Sequence, residues 1–269
     1  MKLGFIGTGN LASAILRGVV ACEKISPSEI IIYDINQTKM NELCEELSVN
    51  AASCSSEVAA KCKNIIIAVK PKDFASLADE IKEETKNNNP LVISTAAGTE
   101  TSKIVSCFGF DVKAVRIMPN INASVGQAMT AVCATDNVSC LEKEYVLKLC
   151  ESFGKAVLLE EKYFSAFTAI AGSGPAFAYM FADALATAGI KYGLPAKTAQ
   201  DIAAQMMLGS AKMLLESPLS VSELIRNVSS PGGTTVEGVC SLKETGFENS
   251  VITAIDKTVA KDKAMSAGK

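Results

Sequence analysis

Residues 4–15 read "GFIGTGNLASAI", and the assignment of this stretch decides the fold. An apolar run from Leu3 leads into Gly7, Gly9 and Ala12, which match the pattern G-x-G-x-x-[GA]. In that pattern the first glycine permits a tight turn and the second lets a pyrophosphate approach the backbone. The small third residue lets the following helix pack on the strand. A helix opening here offers free N–H groups and the positive end of its dipole to a phosphate. Alone the pattern is weak, because an ordinary structural glycine turn also produces it. Here it stands at the head of a strand–helix–strand series, and an acid, Asp34, closes the second strand, "IIIYD" at 30–34. That context predicts a dinucleotide site with Ile6, Gly7, Thr8, Gly9, Asn10 and Leu11 around the phosphates. Asp34 is placed to bond the adenosine ribose hydroxyls.

Outward from this motif, apolar β-rich runs recur at 3–7, 30–34, 64–70, 91–97, 112–118 and 155–160. Helical patterns lie between several of them, as at Met40 to Leu47 and Phe74 to Glu84. This alternation predicts right-handed βαβ units and a mainly parallel sheet. The unbroken apolar run at 64–69 fits a strand covered on both faces. After Tyr163 the β-branched runs vanish, and alanine, leucine and methionine take over. Helices are predicted at 176–193, 197–217 and 250–266, the first ending at Gly193 with Pro195 just beyond. The fold expected is an α/β Rossmann domain over 1–161, then an all-α substrate-binding and dimerisation domain over 162–269. The helices at 176–193 and 197–217 are apolar on too many faces for one small bundle, which predicts a dimer or larger assembly.

Composition narrows the function. The chain has 269 residues, 48% of them hydrophobic and 20% charged, a globular balance. A net charge of −3 without a basic run argues against a nucleic-acid partner. The longest uncharged run, before Asp183, is short and interrupted by Pro175, so a buried helix is expected and no membrane span. The N-terminus opens into a strand and does not read as a signal peptide. The nine cysteines form no C-x-x-C pair and there is no histidine. Reduced thiols in a cytoplasmic protein are expected, mostly as small core residues, with no metal site.

The missing histidine also bears on chemistry. If a nicotinamide cofactor binds, oxidising an alcohol requires a base, usually His or Lys. No lysine lies between Lys162 and Lys191, where hydroxy-acid dehydrogenases of two domains place theirs. A protonated C=N bond already carries its proton, so hydride delivery to carbon completes its reduction, and positioning supplies most of the catalysis.

One stretch breaks the helical half: "NVSSPGGTTVEG", 227–238. It follows, in order, "GFIGTGNLASAI", "AVKP" (68–71), "STAAG" (94–98), "RIMPN" (116–120) and "AGSGPAFAYMFADAL" (171–185). In order and spacing these motifs resemble pyrroline-5-carboxylate reductases over nearly the whole chain, and the last is highly specific to them. The resemblance implies reduction of 1-pyrroline-5-carboxylate to L-proline with NADPH or NADH, the last step of proline synthesis. It also implies a homodimer or a ring of dimers built by the helical domain. Under it Ala68, Val69, Lys70 and Pro71, together with Thr95, Ala96 and Ala97, line the cofactor, and Glu161 lies near the substrate. Lys70 reads equally as a strand-end lysine reaching solvent. Met118 to Asn120 shape the loop near the nicotinamide, though Met118 also reads as core.

In the 227–238 stretch, Pro231-Gly232-Gly233 forms a turn and Thr234 to Glu237 reads T-x-x-E, a capping box. Free N–H groups of Gly233, Thr234 and Thr235 are expected to bind the substrate carboxylate. The resemblance assigns the Thr235 hydroxyl to the ring nitrogen and places Asn227, Val228 and Ser230 beside the ligands. The competing reading is an ordinary helix cap.

The sequence departs from the family in "PLSV" (218–221), where G-E-x-P is frequent, and in Ile225-Arg226, where Lys-Asp is common. Near the adenosine, Ser55 replaces a frequent asparagine, and Asp34 stands where several relatives have serine or threonine. Asp34 repels a 2′-phosphate, whereas Lys39 is close enough in sequence to turn back toward one. The expectation is that both cofactors work, with NADH used at least comparably well. The rivals are a reductase of another imine, a deazaflavin-linked NADP oxidoreductase, and a dinucleotide-binding sensor without turnover.

Overall fold

The computed structural model describes residues 1–266. In chain order the first part comprises β1 (Leu3–Ile6), α1 (Asn10–Ala21), β2 (Ile30–Tyr33), α2 (Gln37–Leu47), β3 (Asn50–Ala51), α3 (Ser55–Lys61) and β4 (Asn64–Ile67). It continues with α4 (Pro71–Glu80), α5 (Lys82–Asn88), β5 (Leu91–Ser94), α6 (Thr101–Phe108), β6 (Ala114–Met118), β7 (Ala128–Ala134), α7 (Cys140–Cys150), β8 (Gly154–Leu158) and α8 (Phe164–Phe167). The strands form one eight-stranded sheet in the order β3-β2-β1-β4-β5-β6-β7-β8. Pairing is parallel except between β6 and β7. This is the Rossmann arrangement, with the strand order reversing between β1 and β4.

The apolar run of β4 has the predicted cause. Ile66 joins the core on one face of the sheet, with Phe5, Ile15 and Phe153, while Ile65 and Ile67 join the other, with Phe74 and Phe108. Each such side chain contributes roughly 1.5–3 kcal/mol by leaving water. Two strands lay outside the sequence expectation. β3 is two residues long, and β7 is built of Ala, Met, Thr, Val and Cys, small or weakly β-forming residues apart from Thr and Val.

The second part comprises α9 (Gly174–Lys191), α10 (Ala196–Glu216), α11 (Val221–Val228), α12 (Thr234–Glu244) and α13 (Phe247–Ser266). Contacts divide the described residues into two compact units, Met1–Gly172 with the part of α13 from Val259, and Ser173–Thr258. Residues 162–172, which the sequence boundary assigns to the helical part, pack with the sheet. Phe164 is buried under the Arg116 guanidinium, and Asn120 Nδ2 donates to Ala171 O at 2.8 Å, in a π-helical turn at Thr168–Gly172. In the helical unit α9 packs along α10, yet these helices bury only Ala186, Ala199 and Ala203. Among the described residues no helix is long and apolar enough to cross a membrane.

Candidate active site

A cleft of about 570 Å3 opens beside the carboxyl ends of β1, β2 and β4, at the point where the strand order reverses. Ligands of open α/β sheets bind at this place. Gly7 makes the turn out of β1 with φ +96°, and a Cβ there would stand 2.8 Å from the Ala68 carbonyl oxygen, so only glycine lets β1 and β4 end this close. Gly9 caps α1 through its backbone alone, and the first helical bond is Ser13 N–H to Gly9 O at 2.9 Å. The N–H groups ahead of that bond lack intrahelical acceptors, and the first turn of α1 has no acid. These features fit an anionic pyrophosphate.

Asp34 lines the cleft and also holds the glycine turn from behind. Its Oδ2 accepts from Thr8 N–H at 2.5 Å and Thr8 Oγ1 at 2.9 Å, and its Oδ1 accepts from Asn36 N–H at 2.8 Å. Thr8 is thereby buried, and its carbonyl accepts from Ser13 Oγ. Lys39 does turn back: its Nζ donates to Asn10 Oδ1 at 3.4 Å, next to the start of α1. Leu11, one residue on, packs partly buried against the core.

Ile6, Ala68, Val69 and Lys70 line the same cleft, with Lys70 capping α4 and Pro71 at its first turn. Ser55 does not. It is fully buried at the start of α3, and its hydroxyl donates to Glu80, whose side chain lines the cleft in its place. Thr95 to Ala97 follow β5. Ala96 is buried in the core and Thr95 N–H donates to Ile67 O, so this stretch offers its neighbours mainly backbone. The sequence reading missed Ile35, 90% exposed at the cleft, and the stripe Asp73, Ser76, Leu77 and Glu80 along α4. The i, i+3, i+4, i+7 spacing of that stripe after Pro71 was the available signal.

The 227–238 stretch is a turn and a helix start, with two corrections. Gly233 N–H donates to Ser230 O at 3.0 Å, and Gly232 has φ +67°. With Pro231 at the second position this is the pattern of a type II turn, so the Gly233 N–H is occupied. Gly233 is itself the N-cap, in extended conformation, and a Cβ on it would collide with Ser230 Oγ. Thr234 is therefore already helical and Glu237 lies one position too far along, so the capping box expected there does not form. Of the three N–H groups expected to bind the carboxylate, those of Thr234 and Thr235 are left without intrahelical acceptors, as is that of Val236 beyond them. Capping boxes form instead at Ser139–Glu142 and Ser220–Glu223. The second explains "PLSV": Ser220 caps α11, the helix that carries Asn227 and Val228 to the turn.

Glu161 is held by protein partners. Its Oε1 accepts from Thr101 N–H at 2.9 Å and from Arg116 Nη1 at 3.0 Å, and its Oε2 accepts from Thr101 Oγ1 at 2.7 Å. All nine cysteines are free thiols. Only Cys62 and Cys150 are fully buried, whereas Cys140 and Cys240 are exposed, so the core role expected of most of them holds fully for two. Burial pushes the Cys62 thiol up to about 11 and that of Cys150 up to about 12.

Comparison with known proteins adds the relationship. Residues 161–265 match the family described as pyrroline-5-carboxylate reductase dimerisation, and residues 2–98 match NADP oxidoreductase coenzyme F420-dependent. The chain is 38% identical to the pyrroline-5-carboxylate reductase of Aquifex aeolicus, covering 98% of this chain and 97% of that one. To the Escherichia coli protein of that name it is 37% identical, covering 98% of each. Among solved structures it superposes on Plasmodium falciparum pyrroline carboxylate reductase with NADP bound. The TM-score is 0.87 at 32% identity, over 99% of this chain and 98% of that one.

Proposed function

The chain belongs to the pyrroline-5-carboxylate reductase family, and from that premise we propose that it reduces 1-pyrroline-5-carboxylate to L-proline with NADPH or NADH. The observation that carries the reading is the turn at Ser230–Gly233 opening α12, in a chain without histidine. When bound, the reduced nicotinamide supplies the hydride. The N–H groups of Thr234 and Thr235, at the positive end of α12, hold the substrate carboxylate. The Thr235 hydroxyl meets the ring nitrogen, with Asn227, Val228 and Ser230 beside the ligands. The protonated imine takes the hydride at carbon, its C=N electron pair passes to nitrogen, and that nitrogen keeps the proton it arrived with. No side-chain acid is needed, and the chain's part is orientation.

Gly7, Gly9 and the start of α1 hold the pyrophosphate, Asp34 the ribose, and backbone from Ala68 to Pro71 and Thr95 to Ala97 the rest of the cofactor. Apolar side chains exposed along α9 and α10, such as Met180 and Leu215, support a homodimer, or a ring of dimers, as the working form. Free thiols throughout suit a cytoplasmic protein. The test is oxidation of NADPH and of NADH with pyrroline-5-carboxylate, alongside an unrelated cyclic imine and a deazaflavin. Turnover confined to the imine carboxylate supports the reading. Turnover with deazaflavin alone, or cofactor binding without turnover, overturns it.

A further inference from the structure

We infer that Arg116 and Glu161 are positioning residues, an ion pair of a buried guanidinium and a half-buried carboxylate that fixes the loop between β5 and α6. The inference rests on the reading of that loop, Thr95 to Glu100, as a wall of the dinucleotide site. The loop is anchored twice. At its start Thr95 N–H donates to Ile67 O at 3.1 Å, continuing the β4–β5 ladder. At its end Thr101, the first residue of α6, gives both its N–H and its hydroxyl to the Glu161 carboxylate. Glu161 thus supplies, from 60 residues away, the anion that the start of α6 lacks from its own cap, since Glu100 makes no side-chain capping bond.

Arg116 determines where that carboxylate stands. It lies opposite Ser94, the last residue of β5, and its guanidinium donates to Glu161 at 3.0 Å while stacking 4.4 Å over the Phe164 ring. Arg116 is 4% exposed, its Nε finds no partner among the described residues, and Glu161 is the counter-charge that pairs with it. Both Glu161 oxygens accept hydrogen bonds from the protein, as a brace requires.

The experiment measures NADPH affinity calorimetrically in the absence of substrate, together with steady-state kinetics, for the whole protein. For Glu161→Gln and Arg116→Lys the expected result is an NADPH Kd raised about tenfold. The kcat/KM falls roughly 10- to 100-fold, the scale of a displaced binding wall. If either variant fails to fold, Thr101→Val decides. It removes only the hydroxyl bond, should weaken NADPH binding in a folded protein, and Thr101→Ser should restore it. A wild-type NADPH Kd in folded Thr101→Val, or in Glu161→Gln with only the KM for pyrroline-5-carboxylate raised, overturns the inference. Failure of the unmodified protein to bind NADPH would instead sink the reading of the cleft.

Discussion

In the sheet unit Phe5, Ile15, Ile32 and Phe108 are 0% exposed, whereas in the helical unit Leu208, Leu215 and Met180 stand at 65%, 70% and 72%. The difference is one of architecture. A parallel sheet covered by helices on both faces closes its own core. Helices α9 and α10 bury only the small residues Ala186, Ala199 and Ala203 fully, and leave many of their large apolar side chains outward. One unit satisfies itself, and the other presents a surface suited to a second copy.

The comparison breaks hardest at Gly7. Gly7→Ala places a methyl group against the Ala68 carbonyl at a positive φ, and should lower kcat/KM about 100-fold or more with loss of NADPH binding. Calorimetry checks it, and the oligomer mass should not change. Retained NADPH affinity would mean that the turn is not the phosphate cradle. Thr235→Ala, in the other unit, should spare cofactor binding and lower kcat by roughly 10- to 1,000-fold. Turnover at the wild-type rate would reduce Thr235 to a helix-start residue.

Met180→Glu combined with Leu215→Glu should weaken self-association by about 100-fold, because two carboxylates would enter an apolar contact unpaired. Light scattering reads the mass, and NADPH titration should be unaffected. An unchanged mass would show that these exposed side chains lie off the interface. The smallest effect is expected at Asp34→Ser. It relieves repulsion of a 2′-phosphate beside Lys39 and should move the NADPH-to-NADH ratio of kcat/KM about tenfold toward NADPH. Overall activity should drop as well, because Asp34 also holds Thr8. A ratio that does not move would place the ribose away from this carboxylate.

Signals carried by neighbouring residues were legible in the sequence. The glycine turn, the two-faced run of β4 and the long helices after Tyr163 are patterns of period and spacing, and each appears within a few residues of its expected bounds. What could not be read depends on partners far along the chain. Ser55 is turned from the cleft by Glu80, 25 residues on, and Glu161 is drawn to Thr101 and Arg116, 60 and 45 residues back. The T-x-x-E match at Thr234 failed for a local reason that the motif does not encode. The type II turn ends on Gly233, so the helix begins one residue before the motif requires. The antiparallel β7 carried too little β-branched character to stand out.

The place of β1 in the sheet also bears on synthesis. Of the strands in this sheet, the one made earliest is an inner strand, paired with β2 on one side and with Asn64–Ile67 on the other. Its Leu3 and Phe5 have no complete lodging until β4 has been made, and the last strand, Gly154–Leu158, emerges later still. Nascent chains shorter than this should therefore hold exposed apolar strands and engage chaperones, and a pause in translation before β4 should promote aggregation. A pause once the chain through Gly172 has emerged should find all eight strands able to pair, with Phe164 in place under Arg116.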